Sequence, residues 1–214
     1  MVGEPRVYRI VLQAALCELA QDGNLVYHGR AGQELLPGIR HVLNVFVDTP
    51  RPFRIEQVKA RKGLSEEAAN EYLDKADRIR ARRLKELFRI DWRDPSRYDL
   101  VLNTARMSVE TAARFIAEVS QREEYQPTPE SLQAVKDLTI NARVQAALIT
   151  SRDIHVSNLE VKTKDGEVFV AGVLQAAGLE ELIVDRIRKV PGVTGVKPYF
   201  VVAIADQYIY SDGR

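Results

Sequence analysis

The chain has 214 residues, 45% of them hydrophobic and 29% charged, enough to bury a core in one large or two small domains. Its 31 Lys and Arg against 30 Asp and Glu give no basic excess for nucleic acid, and its single cysteine excludes an internal disulfide framework and any multi-cysteine zinc site. No basic stretch leads into an apolar one near the N-terminus and no apolar run reaches membrane-spanning length, so the expectation is a cytoplasmic protein without a transmembrane segment.

Val7 to Ala20 has helical spacing, with Ile10, Leu12, Ala15, Leu16 and Leu19 apolar and Gly23 suited to the turn that follows. Cys17 lies in this run and reads as a core residue. "LVYHGRAGQELL" reads as a short strand, a turn and a new helical start. "VLNVFVD" (42–48) is an apolar, β-branched run of strand length, stopped by "TPRP". "RIEQVKARKG" is a short helix, and "LSEEAANEYLDKADRIRARRLKELF" a long one with Ser65 as N-cap and Glu66 and Glu67 at the positive end of the helix dipole. Trp92 reads as a core anchor beneath it. "DPSRYDLVLNT" gives a turn and a strand at 99–103, and Ser108 caps a helix running to Val119. Strands alternating with helices predict a parallel α/β sheet.

The grammar changes at "QREEYQPTPES" (121–131), a polar stretch with two prolines and no apolar period, which reads as a linker. A helix at 132–149, strands at 154–163 and 167–174 around an Asp-Gly turn, a helix at 176–190 and a last strand then give a small α+β module of αββαβ order. The expected division is an α/β domain over 1–120, a linker over 121–131, the small module over 132–206 and a tail over 207–214.

Six basic side chains lie between Arg78 and Arg89 of the long helix. On a helical wheel Ala69, Tyr72, Leu73, Ala76, Ile79, Leu84 and Leu87 share a broad apolar face, opposite Arg78, Arg82, Lys85 and Arg89. Arg80 and Arg83 fall within the apolar face, where an unpaired guanidinium is costly. Asp77, three residues before Arg80, can pair with it. Two readings stand: a buried ion pair or snorkelling side chain, or guanidinium forks aimed at a phosphate. His28, His41 and His155 show no ligand spacing, so no metal site is expected. Asp48, at a strand end, either caps the next turn or approaches a metal or phosphate-bound water.

The strand ending in Gly29-Arg30, the "TPRPFRI" segment, the Asp77-x-x-Arg80 pair and "DWRDPSRYDLVLNT" follow one another in the order seen in the cytidylate kinase-like family of P-loop nucleoside monophosphate kinases, which residues 7–118 resemble. The resemblance implies that Arg30, Arg54, Arg61, Arg80 and Arg83 are phosphate or nucleotide ligands, with Asp77 and Asp48 in support. The family usually carries an aromatic residue where Arg83 stands. ATP and CMP with Mg are the ligands and cofactor it suggests.

Kinases of this family begin with a strand, a Gly-rich phosphate loop with its Lys, and a helix. Nothing of that kind precedes the matched stretch, and "GVTGVKP" (192–198) has the wrong spacing, with Pro198 blocking the helix that would follow. Phosphoryl transfer is mostly positioning and charge neutralisation, so loss of the loop predicts loss of activity. A sheet without its loop-bearing strand is expected to leave open edges and apolar surface, and hence a homo-oligomer.

"ITSRDIHVSNLEVKTKDGEVFVAGVL" with the "VPGVTGVKPYFVV" ending resembles a BON domain. Such domains are linked to phospholipid binding or to contacts with other proteins, which implies a protein partner or small-ligand sensing here. Gly166, Gly172 and Gly192 read as turn and close-packing positions. The expectation is a degenerate kinase-like domain with a BON-like module, binding a nucleotide or phosphorylated ligand, or assembling, without catalysis. The alternatives are an active CMP/dCMP kinase whose phosphate loop lies on another segment or chain, and a purely structural protein whose arginines pair internally.

Overall fold

The computed structural model describes residues 4–151, 153–176 and 178–203; the expected tail and the last residues of the small module lie outside these. By their contacts the described residues form two units, 22–132 and 4–21 with 133–203.

In the first unit, α2 (Gly32–Leu35) precedes β1 (Val45–Asp48). Helix α3 (Arg51–Lys62) starts with Pro52 in its first turn and ends at Gly63, whose φ of 66° makes the left-handed turn that glycine takes without strain. Helix α4 (Glu66–Phe88) is capped as expected: Ser65 accepts from the Ala68 N–H. β2 (Leu100–Asn103) pairs parallel with β1, Val45 opposite Leu100 and Asp48 opposite Asn103. Asp99 fixes the start of this pair by accepting both N–H groups of Asn44, at 2.7 and 3.2 Å. α5 (Val109–Ser120) follows Ser108, whose hydroxyl accepts from Thr111 N–H.

The parallel sheet has two strands, and the expected strand at 25–29 is absent: Leu25, Val26 and Tyr27 lie in irregular chain, Val26 92% exposed. Local β-propensity is a weak prior when no neighbouring strand supplies ladder partners. The strand expected at 42–48 shortens to Val45–Asp48. The wheel is corrected at two positions, since Ile79 and Tyr72 of the expected apolar face are exposed; the buried stripe of α4 is Ala69, Leu73 and Leu84. Leu84 packs with Ala31 and Ile90, and Phe88 and Trp92 close that cluster.

The second unit contains α6 (Pro129–Ile149, from Gln133 onward), β3 (Val156–Lys164), β4 (Glu167–Leu174), α7 (Leu179–Arg188) and β5 (Gly195–Val202). The sheet order is β3-β4-β5, with an antiparallel hairpin and a parallel third strand. β4 alternates strictly between half-buried and buried residues, because one face meets the core of Val144, Leu148, Ile183 and Ile187. Helix α1 (Glu4–Ala20) groups with this unit, although the sequence division puts it in the first domain. Three bonds hold it there: Arg6 donates to Leu159 O (3.0 Å), Thr139 to Cys17 O (3.3 Å) and Arg143 to Glu18 (2.7 Å). Cys17 is fully buried, and burial pushes its thiol up to about 12.

Candidate functional site: an arginine cluster on Asp77

One carboxylate in the first unit gathers three guanidiniums. Arg54, on the first turn of α3, donates from Nη1 to Asp77 Oδ2 at 2.8 Å and from Nη2 to Oδ1 at 2.7 Å. Arg93 donates from Nη2 to Oδ2 at 2.8 Å. Arg80, one turn along α4 from Asp77, stands 3.7 Å from Oδ1. Trp92 completes the group, with Arg80 Cζ 4.8 Å and Arg93 Cζ 4.9 Å from its ring centroid, both within cation–π range. Trp92 is held in turn by its edge-on contact with Phe46 of β1, and Tyr98 stacks on Phe46 while donating its hydroxyl to Trp92 O at 2.8 Å.

The local fold explains the convergence. Arg89 closes α4 in a left-handed conformation (φ 58°), which turns the chain back so that Trp92 and Arg93 reach the level of Arg80 and Asp77. Asp91 steadies that turn by accepting the Arg93 N–H at 2.9 Å. A second link between α3 and α4 lies one turn earlier, where Arg51 bonds Asp74 at 2.6 Å and Asn70 at 2.8 and 3.1 Å.

The electrostatics follow from three positive groups sharing one negative group. Hydrogen bonds from Arg54 hold the Asp77 carboxyl below the usual carboxylate range; burial opposes this, and the charges of Arg54, Arg93 and Arg80 reinforce it. Arg54 is pushed up by its bonds to Asp77, with Asp48 adding attraction. Arg80 is pulled down by burial and then by repulsion from Arg30, against the pull of Asp77, with Arg54 and Arg93 also repelling it. Its Nε is buried without a hydrogen-bond partner. The cluster therefore carries more positive charge than its own carboxylate neutralises, which is the environment a bound anion relieves.

Of the residues singled out in the sequence, Arg54, Arg80 and Asp77 are brought together, Arg30 acts on Arg80, and Asp48 acts on Arg54. Asp48 and Asn103 sit opposite each other at the carboxyl ends of the two parallel strands, the side of such sheets where ligands bind. Arg61 and Arg83 lie at exposed positions of α3 and α4, which corrects the placing of Arg83 within a buried face. Arg93 was not anticipated, because a wheel drawn through α4 says nothing about a residue beyond its C-cap. The signal available was a basic residue next to the chain's one tryptophan. Among the described residues, no three His, Cys, Asp or Glu side chains are placed to hold a metal ion.

Residues 4–106 match the model of the cytidylate kinase-like family, and residues 136–203 match that of the BON domain. Two family matches thus follow one another along the chain, the cytidylate kinase-like family first and the BON domain second. The kinase-like match takes in α1, Arg30, the arginine cluster and β2. Curated relatives include the cytidylate kinase of Methanocaldococcus jannaschii, 32% identical over 47% of this chain and 57% of its own length. The cytidylate kinase of Methanopyrus kandleri is 31% identical over 42% of this chain and 51% of its own length. That of Pyrococcus horikoshii is 33% identical over 44% and 47%. The chain thus spans about half the length of the curated relatives it matches. No described helix is long and apolar enough to cross a membrane.

Proposed function

We propose that the kinase-like segment binds a phosphorylated ligand, a nucleoside monophosphate such as CMP in the first instance, without transferring phosphate by itself. The observation that carries this is the surplus of guanidinium groups on Asp77, with the Arg80 Nε buried and unpartnered. One carboxylate cannot satisfy three cations. A phosphate offers three strong acceptors to the same forks. Non-catalysis is supported by the sequence, since these 214 residues contain no glycine-rich, lysine-bearing loop of the required spacing. Within this reading the BON domain serves as a contact module and the chain acts as an oligomer.

Calorimetric titration of the full chain with CMP, and of its Arg54→Ala and Arg80→Gln variants, tests the proposal. Binding by the wild type, weakened about tenfold or more in either variant, is expected from the loss of a charge-assisted hydrogen bond. Absence of CMP binding in the wild type would favour the structural alternative, in which the arginines serve the fold alone. A second reading, catalysis with a phosphate loop from another segment or chain, is favoured by the half-length match to the cytidylate kinases. Robust transfer from ATP to CMP by the purified chain would overturn the non-catalytic reading.

A further inference from the structure

We propose that Arg93 makes the cluster selective for a doubly charged phosphate monoester by moving its guanidinium from Asp77 to the ligand. This rests on the phosphate-binding reading above and adds to it a residue and a charge preference.

The three arginines are not equally held. Arg54 uses two nitrogens on both oxygens of Asp77, and its side chain is 22% exposed. Arg80 is 25% exposed and lies against Trp92. Arg93 gives Asp77 one hydrogen bond from a side chain that is 56% exposed, and it sits in a turn rather than on a helix. An exposed ion pair with a single bond is the least costly to exchange. Trp92 provides the surface over which the guanidinium can shift while its backbone stays tied to Asp91.

The charge balance sets what the ligand must bring. Facing one another are Arg54 from α3, Asp77 and Arg80 from α4, and Arg93 with Asp91 in the turn; Arg30 acts on Arg80 and Asp48 on Arg54. The three guanidiniums in contact with Asp77 leave two positive charges unmatched at that carboxylate, while of the groups around them Arg30 adds one positive charge and Asp48 and Asp91 one negative charge each. A phosphate monoester carries its second negative charge above a pKa of about 6. With Arg93 turned onto it, the dianion meets matched charge. The monoanion does not need Arg93.

The test is the affinity of the full chain for CMP at about pH 5 and about pH 7.5, in the wild type, Arg93→Gln and Arg93→Lys. The wild type is expected to bind about tenfold more tightly at the higher pH, the size of one charge-assisted hydrogen bond. Arg93→Gln should flatten that step to about twofold or less while still binding at low pH, and Arg93→Lys should restore most of it. Histidine titration is common to all three proteins and cancels in the comparison. An unchanged step in Arg93→Gln would overturn the role of Arg93 and leave the binding site standing. Failure of the wild type to bind CMP at either pH would remove both proposals.

Discussion

Arg54 places one guanidinium nitrogen on each oxygen of Asp77, at 2.8 and 2.7 Å, while Arg80, three residues along the helix, stands at 3.7 Å. The partner that spacing suggests for Asp77 is therefore its weaker one. A bidentate fork from a neighbouring helix has better geometry than an i,i+3 contact, whose side chains leave the same surface in nearly the same direction.

Asp77→Asn is expected to destabilise the chain by roughly 1–3 kcal/mol, between the values for exposed and fully buried pairs, because it leaves Arg54 with a neutral partner. The sign of the pH dependence follows from the lowered Asp77 pKa. The ionised form is favoured in the folded chain, so the contribution is complete above the unfolded value of about 3.9 and is lost as pH falls through the folded one. Urea denaturation should show a constant gap between wild type and variant near neutrality that narrows below about pH 4. A gap independent of pH down to that range would contradict this assignment.

The outward basic residues of α4 should matter little. Arg82 pairs with Glu86 at 2.7 Å from a side chain that is 80% exposed, so Arg82→Ala should leave the urea midpoint unchanged within error. Arg89 differs, because it holds a left-handed backbone (φ 58°) at the helix end. Arg89→Gly relieves that strain and should raise the melting temperature, by a stabilisation of about 0.5–1 kcal/mol once the added chain entropy is counted. A fall in melting temperature would show that the Arg89 side chain makes a compensating contact.

Self-association is expected from the first unit. A two-stranded parallel sheet is unusual, since parallel sheets are normally covered on both faces. Here Val47 is 53% and Val101 47% exposed, and Val26 is 92% exposed nearby in sequence to the buried Ala31. Light scattering at high micromolar concentration should give a mass above 24.2 kDa. A strictly monomeric mass would mean that these faces remain in water.

In the BON domain, Gly172→Ala tests the hairpin. A Cβ built at this position meets Val156 Cγ1 at 2.4 Å and Ser157 O at 3.0 Å, where β3 bulges against β4. Overpacking of this kind should cost about 1–3 kcal/mol. Gly63→Ala is a useful contrast, for its Cβ meets nothing within 4 Å and its cost comes from φ alone. Equal stability of Gly172→Ala and wild type would mean that the bulge shifts to make room.

Much of the fold was legible because it depends on local chemistry. Ser65 and Ser108 announce their helices as caps, Asp165-Gly166 announces the hairpin turn, and the 3.6-residue period places Ala69, Leu73 and Leu84 on one stripe. The segment at 25–29 shows where this fails: Leu-Val-Tyr carries strand propensity, but a strand exists only when a neighbour completes its hydrogen bonds. For helix α1 amphipathic spacing says that it packs and not on which unit: its contacts group it with the second unit, while the kinase-like family match takes it in.

The sequence by itself determined most of the elements, the order of the two modules and the kinase-like and BON resemblances, because caps, turn residues and periodicity act over a few neighbouring positions. It also marked Arg80 as a residue that needed a partner and Asp77 as one within its reach, and the resemblance added Arg54. The tertiary structure decided which partners they have: Arg54 spans two helices to reach Asp77, and the turn at Arg89 brings Trp92 and Arg93 back beside Arg80. Those contacts join residues up to 39 positions apart, from Arg54 to Arg93, through one shared carboxylate. No local rule relates such positions; only the path of the folded chain does.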